Sequence, residues 1–245
     1  TGSYSVAVGY QALDAQTTAT NNTAVGWDAG SATTTGASNT FIGQNSGASN
    51  TTANYNTAVG ALSLDANTTA SENTAVGYAA LTNNSTGENL VAVGSQALEA
   101  NTTGNNNTAV GKQAGHSVTT GNTNTAVGKG ALQSNSTNSA NTAVGADALT
   151  NNTAANNTAV GKDALLSNTT GTENTAVGAT ALDALTTASN NTGIGYDALS
   201  ANQTGEGNTS VGSHSLQANT GAGYNTAVGH NALKVSSTGN SNTAV

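Results

Sequence analysis

The sequence predicts an all-β protein, a parallel β-solenoid (β-roll) of about 14 coils built on a 17-residue repeat. Three observations predict it. The phrase Asn-Thr-Ala-Val-Gly recurs, first as Asn22-Thr23-Ala24-Val25-Gly26, then as Asn56-Thr57-Ala58-Val59-Gly60, and finally truncated as Asn242-Thr243-Ala244-Val245. Its glycines fall at 9, 26, 43, 60, 77, 94, 111, 128, 145, 161, 178, 195, 212 and 229, every step 17 residues except the 16 between Gly145 and Gly161. Composition completes the case. With 35% hydrophobic, 3% aromatic and 7% charged residues and no Pro, the chain has too little apolar bulk for a thick core. It also lacks the Pro content and charge density typical of disorder. A thin interior drawn out along an axis fits both facts.

Each element of the repeat follows from its residues. We number the repeat so that the phrase fills slots one to five. Slot five is Gly in all 14 complete cases, slot four is Val or Ile (Ile42 and Ile194), and slot eight is Ala or Ser. Slot nine is Leu in 11 coils, from Leu13 to Leu233, and Gly in three: Gly30, Gly47 and Gly115. Slots thirteen and fourteen are mostly Thr-Thr or Ser-Thr, as in Thr68-Thr69, and slot fifteen is Gly or Ala almost throughout. Helix is excluded, because Gly and Asn interrupt every apolar stripe of three- and four-residue spacing. Thr-Ala-Val is a short strand, ended by a Gly able to take positive φ or to admit close backbone approach. Slots eight to fourteen read as a second extended leg, with slot fifteen opening the return turn. The one deletion falls after Ala155, inside that turn. Stacked coils turn each slot into a column, so the slot-one asparagines can form amide ladders and the paired threonines hydroxyl ladders. Where slot nine is Gly, near Trp27 and Phe41, the lost Leu volume needs replacement and a local change of shape is expected.

Successive strand residues face opposite sides, yet slots three and four are both apolar, as are slots eight and nine. One face then lines the interior while the other meets a partner, small Ala allowing close approach between chains. A symmetric homotrimer satisfies this, although the residues alone leave the copy number open.

The coils Ser5-Val6-Ala7-Val8-Gly9 and Leu90-Val91-Ala92-Val93-Gly94 resemble the Ser-Val-Ala-Ile-Gly repeat of trimeric autotransporter adhesin heads. The arrays Asn-Thr-Ala-Val-Gly-Tyr-x-Ala-Leu also resemble repeats of phage tail fibres and bacterial surface proteins. The resemblance spans the chain through one five-slot motif, with a longer period than the adhesin repeat. It implies a left-handed roll, three chains side by side, and a surface-displayed stalk or head; it implies no catalytic residue.

The net charge is −8, and the only basic residues are Lys112, Lys129, Lys162 and Lys234, which argues against a nucleic-acid partner. No apolar run approaches the length of a membrane-spanning helix, and no signal peptide is visible. Absent Cys excludes disulfides and thiolate sites. His116, His214 and His230 lie in different coils and do not suggest a metal site, and the acids are scattered, mostly at slots seven and ten as in Asp28, Asp147, Asp163 and Asp197. No calcium-roll, nucleophile-elbow or phosphate-loop motif occurs, so neither a cofactor nor an enzyme is expected. Sequons such as Asn50-Thr51-Thr52 follow from composition alone.

Residues 1–245 therefore read as a single repeat array without a domain boundary, a fragment of a longer chain that stops inside a repeat. The expected function is a structural or adhesive fibre segment, a rigid spacer or adhesin head. It is placed outside the cell, on its surface or on a phage virion, with self-association and a host surface or glycan as partners. The contact strip expected on it is the variable slot six, with Tyr10, Trp27, Tyr78, Lys112, Lys129, Lys162, Tyr196 and His230. The alternatives are a tail-fibre receptor-binding segment, including one that cleaves polysaccharide, and an ice-binding solenoid. Against ice binding, the Thr pair of slots thirteen and fourteen is adjacent, hence divided between two faces, and the slot-two Thr stands beside a slot-four Val.

Overall fold

The computed structural model describes residues 3–245; residues 1 and 2 at the head of the expected array lie outside them. The chain is an all-β parallel β-solenoid of about 14 coils with about 17 residues per coil, and no helix occurs among the described residues. It divides into two compact units, Thr1–Thr123 and Asn124–Val245. Among the described residues the first holds seven strands, from β1 (Val6–Val8) to β7 (Thr108–Val110); the second holds eight, from β8 (Thr125–Val127) to β15 (Thr243–Ala244).

In both units the strand is slots two to four, where β-branched Thr and Val flank Ala. Neighbouring strands pair in parallel with like residue opposite like, as Thr57↔Thr74, Ala58↔Ala75 and Val59↔Val76 do in the first unit. In the second, Thr142↔Thr158 and Val144↔Val160 hold the same register across the 16-residue coil. The loss falls outside the strand, as expected. Slot-five Gly ends each strand at a φ that L side chains avoid, +134° at Gly60 and +138° at Gly161. A Cβ on Gly161 would stand 2.4 Å from the carbonyl oxygen of Gly178, so the glycine file exists because the coils touch there by backbone alone.

The second leg differs from the expected strand. Slots seven and nine take left-handed φ, +59° at Asp163 and +51° at Leu165, and slot seventeen repeats this with Glu173 at +59°. The leg is a chain of turns. It still bonds coil to coil: the amides of Asp163, Leu165, Ser167 and Thr169 donate to Ala146, Ala181, Asp183 and Thr186 at 2.8–3.1 Å. The left-handed residue also removes the two-faced problem at slots eight and nine. Ala164 and Leu165 are adjacent yet both fully buried, because the backbone between them is not extended.

The interior of each unit is therefore Ala of slots three and eight, Leu of slot nine, and two columns of buried Asn. In slot one, the Asn39 amide donates to Asn22 Oδ1 at 2.8 Å, while Asn39 Nδ2 reaches Ala53 O of its own coil at 2.8 Å. Slot twelve carries the second column: Asn67, Asn84 and Asn101 each donate Nδ2 to the Oδ1 one coil earlier, at 3.2, 3.3 and 2.8 Å. Slot thirteen adds hydroxyl bonds to the next coil's carbonyl, as from Thr51 to Thr68 at 3.0 Å and from Thr169 to Thr186 at 2.9 Å. The slot-twelve ladder runs one way, so an apolar residue orphans the acceptor before it. Asn101 Oδ1 precedes Val118 and Asn168 Oδ1 precedes Leu185, and both are buried without a hydrogen bond.

Gly at slot nine leaves the path unchanged, with φ near +59° at Gly30 and +58° at Gly47. The expected change of shape is absent because Phe41, in slot three, supplies the missing volume. A Cβ on Gly30 would lie 2.6 Å from its ring, and one on Gly47 only 2.3 Å. At Gly115 the space is taken by Leu98 and by Val118. Trp27 stands outside and takes no part in this filling.

Candidate functional surfaces

Two outward surfaces differ in chemistry. The first is the ridge that follows the glycine file. Slot six leaves the backbone pointing away from the interior, and Tyr10, Trp27, Tyr78, Lys112, Lys129, Lys162, Tyr196 and His230 are all exposed. In the first unit Tyr10 and Trp27 occupy consecutive coils. In the second unit the ridge joins slot seven: Lys129 Nζ lies 3.9 Å from Asp147 Oδ2, and Lys162 pairs with Asp163. The Tyr196 ring meets His214 edge-on at 5.3 Å, and His214 meets His230 at 6.0 Å. His214 Nδ1 stands 3.6 Å from Asp197 Oδ2. The structure thus brings two slot-six residues, Tyr196 and His230, onto one histidine that the single column does not contain.

Beside the ridge, slots seven and ten of nearby coils approach each other. Partial burial first, and Asp28 second, hold the Asp65 carboxyl above the usual aspartate range. Burial first, then Asp197, raise Asp183 in the second unit. The hydrogen bond from Lys162 to Asp163, with the attraction between them, raises the lysine in turn. In the first unit His116 Nε2 lies 3.0 Å from Glu99 Oε2, and Gln96 Nε2 donates to the same oxygen at 2.8 Å. Among the described residues no three metal-ligating side chains converge and no cavity opens.

The second surface is the outer side of the strands. Ala of slot three is fully buried in β4 (Thr57–Val59) and β11 (Thr175–Val177), while Thr and Val of slots two and four face out. The expectation that small Ala meets a partner chain is thereby corrected. Ala fills the coil because Leu of slot nine already occupies the centre, and the outward apolar file is Val, 37% exposed at Val177.

No protein-family model, curated protein or solved structure matches the chain. No helix is long and apolar enough to cross a membrane among the described residues.

Proposed function

We propose that the chain is a structural or adhesive segment of an extracellular fibre, displayed on a cell surface or a phage virion. Its coils act as a rigid spacer or adhesin head. The observation that supports this reading is the contrast between interior and ridge. Each unit repeats the same buried slots coil after coil, while residue chemistry changes freely at slot six, from Tyr10 and Trp27 to Lys162 and His230. An exposed ridge of aromatics and lysines suits a host glycan or surface protein, since aromatic faces stack on sugar rings. The resemblance to adhesin heads and tail fibres adds a left-handed roll and association in threes.

Two measurements test it. Sedimentation of the chain is expected to give three copies, and a monomer at micromolar concentration removes the trimer. Binding to an array of bacterial and host glycans is expected to fall about tenfold in the Tyr10→Ala, Trp27→Ala double variant, the loss of one to two stacking contacts. Unchanged binding by that variant, or none by the parent, rejects the ridge as the contact strip.

A further inference from the structure

Each strand turns slots two and four outward, so each unit presents a file of Thr beside a file of Val or Ile. The two Thr positions of the repeat are used differently. Slot-thirteen hydroxyls bond within the protein, as Thr51 and Thr169 do. The slot-two hydroxyls of Thr57, Thr74, Thr158 and Thr175 sit half-buried on the outer face and hydrogen-bond to nothing within the protein. No charged residue occupies slot two or four in any coil. The result is a neutral grid, with a spacing of about 4.8 Å from coil to coil and about 6.6 Å between the two files.

We propose that this Thr/Val face binds ice. A protein partner is normally anchored by a few large side chains seated in pockets, over roughly 800 Å² per partner. This face offers no such anchor, and at three residues it is only about 10 Å wide. A target engaged equally by every coil must itself repeat in two dimensions on the scale of the grid. The oxygen positions on a face of hexagonal ice do so. The free Thr hydroxyls take places in the lattice, and the Thr and Val methyls flank troughs in which water orders without a charged group to disturb it. The objection from the adjacent Thr pair falls away, because slots thirteen and fourteen are not the files involved. Slots two and four lie on one side of the strand, and their pairing is what makes the grid.

The test is the behaviour of a single ice crystal in a solution of the full chain. The expected result is a gap between melting and freezing points with faceted growth. That gap is lost in the Thr74→Tyr, Thr175→Tyr variant, which places one bulky ring on each unit's face. The Thr74→Ser, Thr175→Ser variant, which keeps the hydroxyl and the fold while removing a methyl, narrows it. Glu88→Gln, in the exposed return turn, leaves it unchanged. An unshaped crystal with the parent chain, or a gap that survives both Thr variants, overturns the proposal. So does an oligomer that Val59→Lys and Val177→Lys dissociate, since a second copy would then occupy the face.

Discussion

The side chain that best shows how the interior is specified is Phe41. Its ring fills space that two leucines would occupy at Gly30 and Gly47, so the three positions act as one unit of volume. Truncation in Phe41→Ala removes that volume with no neighbour able to collapse into it, at a cost of about 3–5 kcal/mol. The substitutions Gly30→Leu and Gly47→Leu alone fail by overpacking, because their Cβ atoms already meet the ring. Combined with Phe41→Ala they recover most of the loss, since Leu at this slot adopts the same left-handed φ elsewhere, +53° at Leu64. Chemical denaturation of the four variants checks this as a coupling energy; additive effects would separate the three sites.

At the scale of the coil, the strand was legible in the sequence and the second leg was not. Thr-Ala-Val followed by invariant Gly declares a strand and a tight corner through β-propensity and backbone freedom, and the register follows from the period. The other leg carries Ala-Leu where a strand would demand alternation, a conflict that on the residues alone points to a partner chain. The structure resolves it with left-handed residues. The signal was present: slot nine accepts only Leu or Gly, and slot seven is Asp or Asn in six of 14 coils, residues at home with positive φ. The corner has its own consequence. Gly161→Ala puts a Cβ against the Gly178 carbonyl at a φ of +138°, and neither coil can yield without breaking strand register. The variant is expected to lose several kcal/mol of stability, well beyond the roughly 1 kcal/mol of an ordinary Gly→Ala change. Hydrogen exchange is expected to rise first at the amides of Gly178 and its neighbours. Exchange that stays uniform would place the strain elsewhere.

Across the whole molecule the site was only partly legible. The slot-six ridge stood out because aromatics, lysines and a histidine directly follow the invariant Gly. The outer Thr/Val face did not, because the sequence shows two apolar neighbours without saying which one the narrow coil can hold. Charge is the remaining property set at this scale. With a net charge of −8, carboxylates gather along slots seven and ten, and Asp65 and Asp183 are held above the ordinary aspartate range, mainly by burial. For an acid this means that the folded state binds its proton more tightly than the unfolded chain does. Stability therefore falls as pH rises from the ordinary aspartate value through the raised one, and stays at the lower level at neutrality. Lys162, raised by its bond to Asp163, keeps its contribution at neutrality and loses it only as pH climbs through its own raised value. The Asp183→Asn variant is thus expected to melt higher than the parent at pH 7, on the order of 1–2 °C given the screening of a half-exposed group. At pH 3, where both states are protonated, the two chains are expected to melt together. A variant that melts lower at pH 7, or whose advantage persists unchanged at pH 3, would show that burial of the charged carboxylate is not what limits this part of the stack.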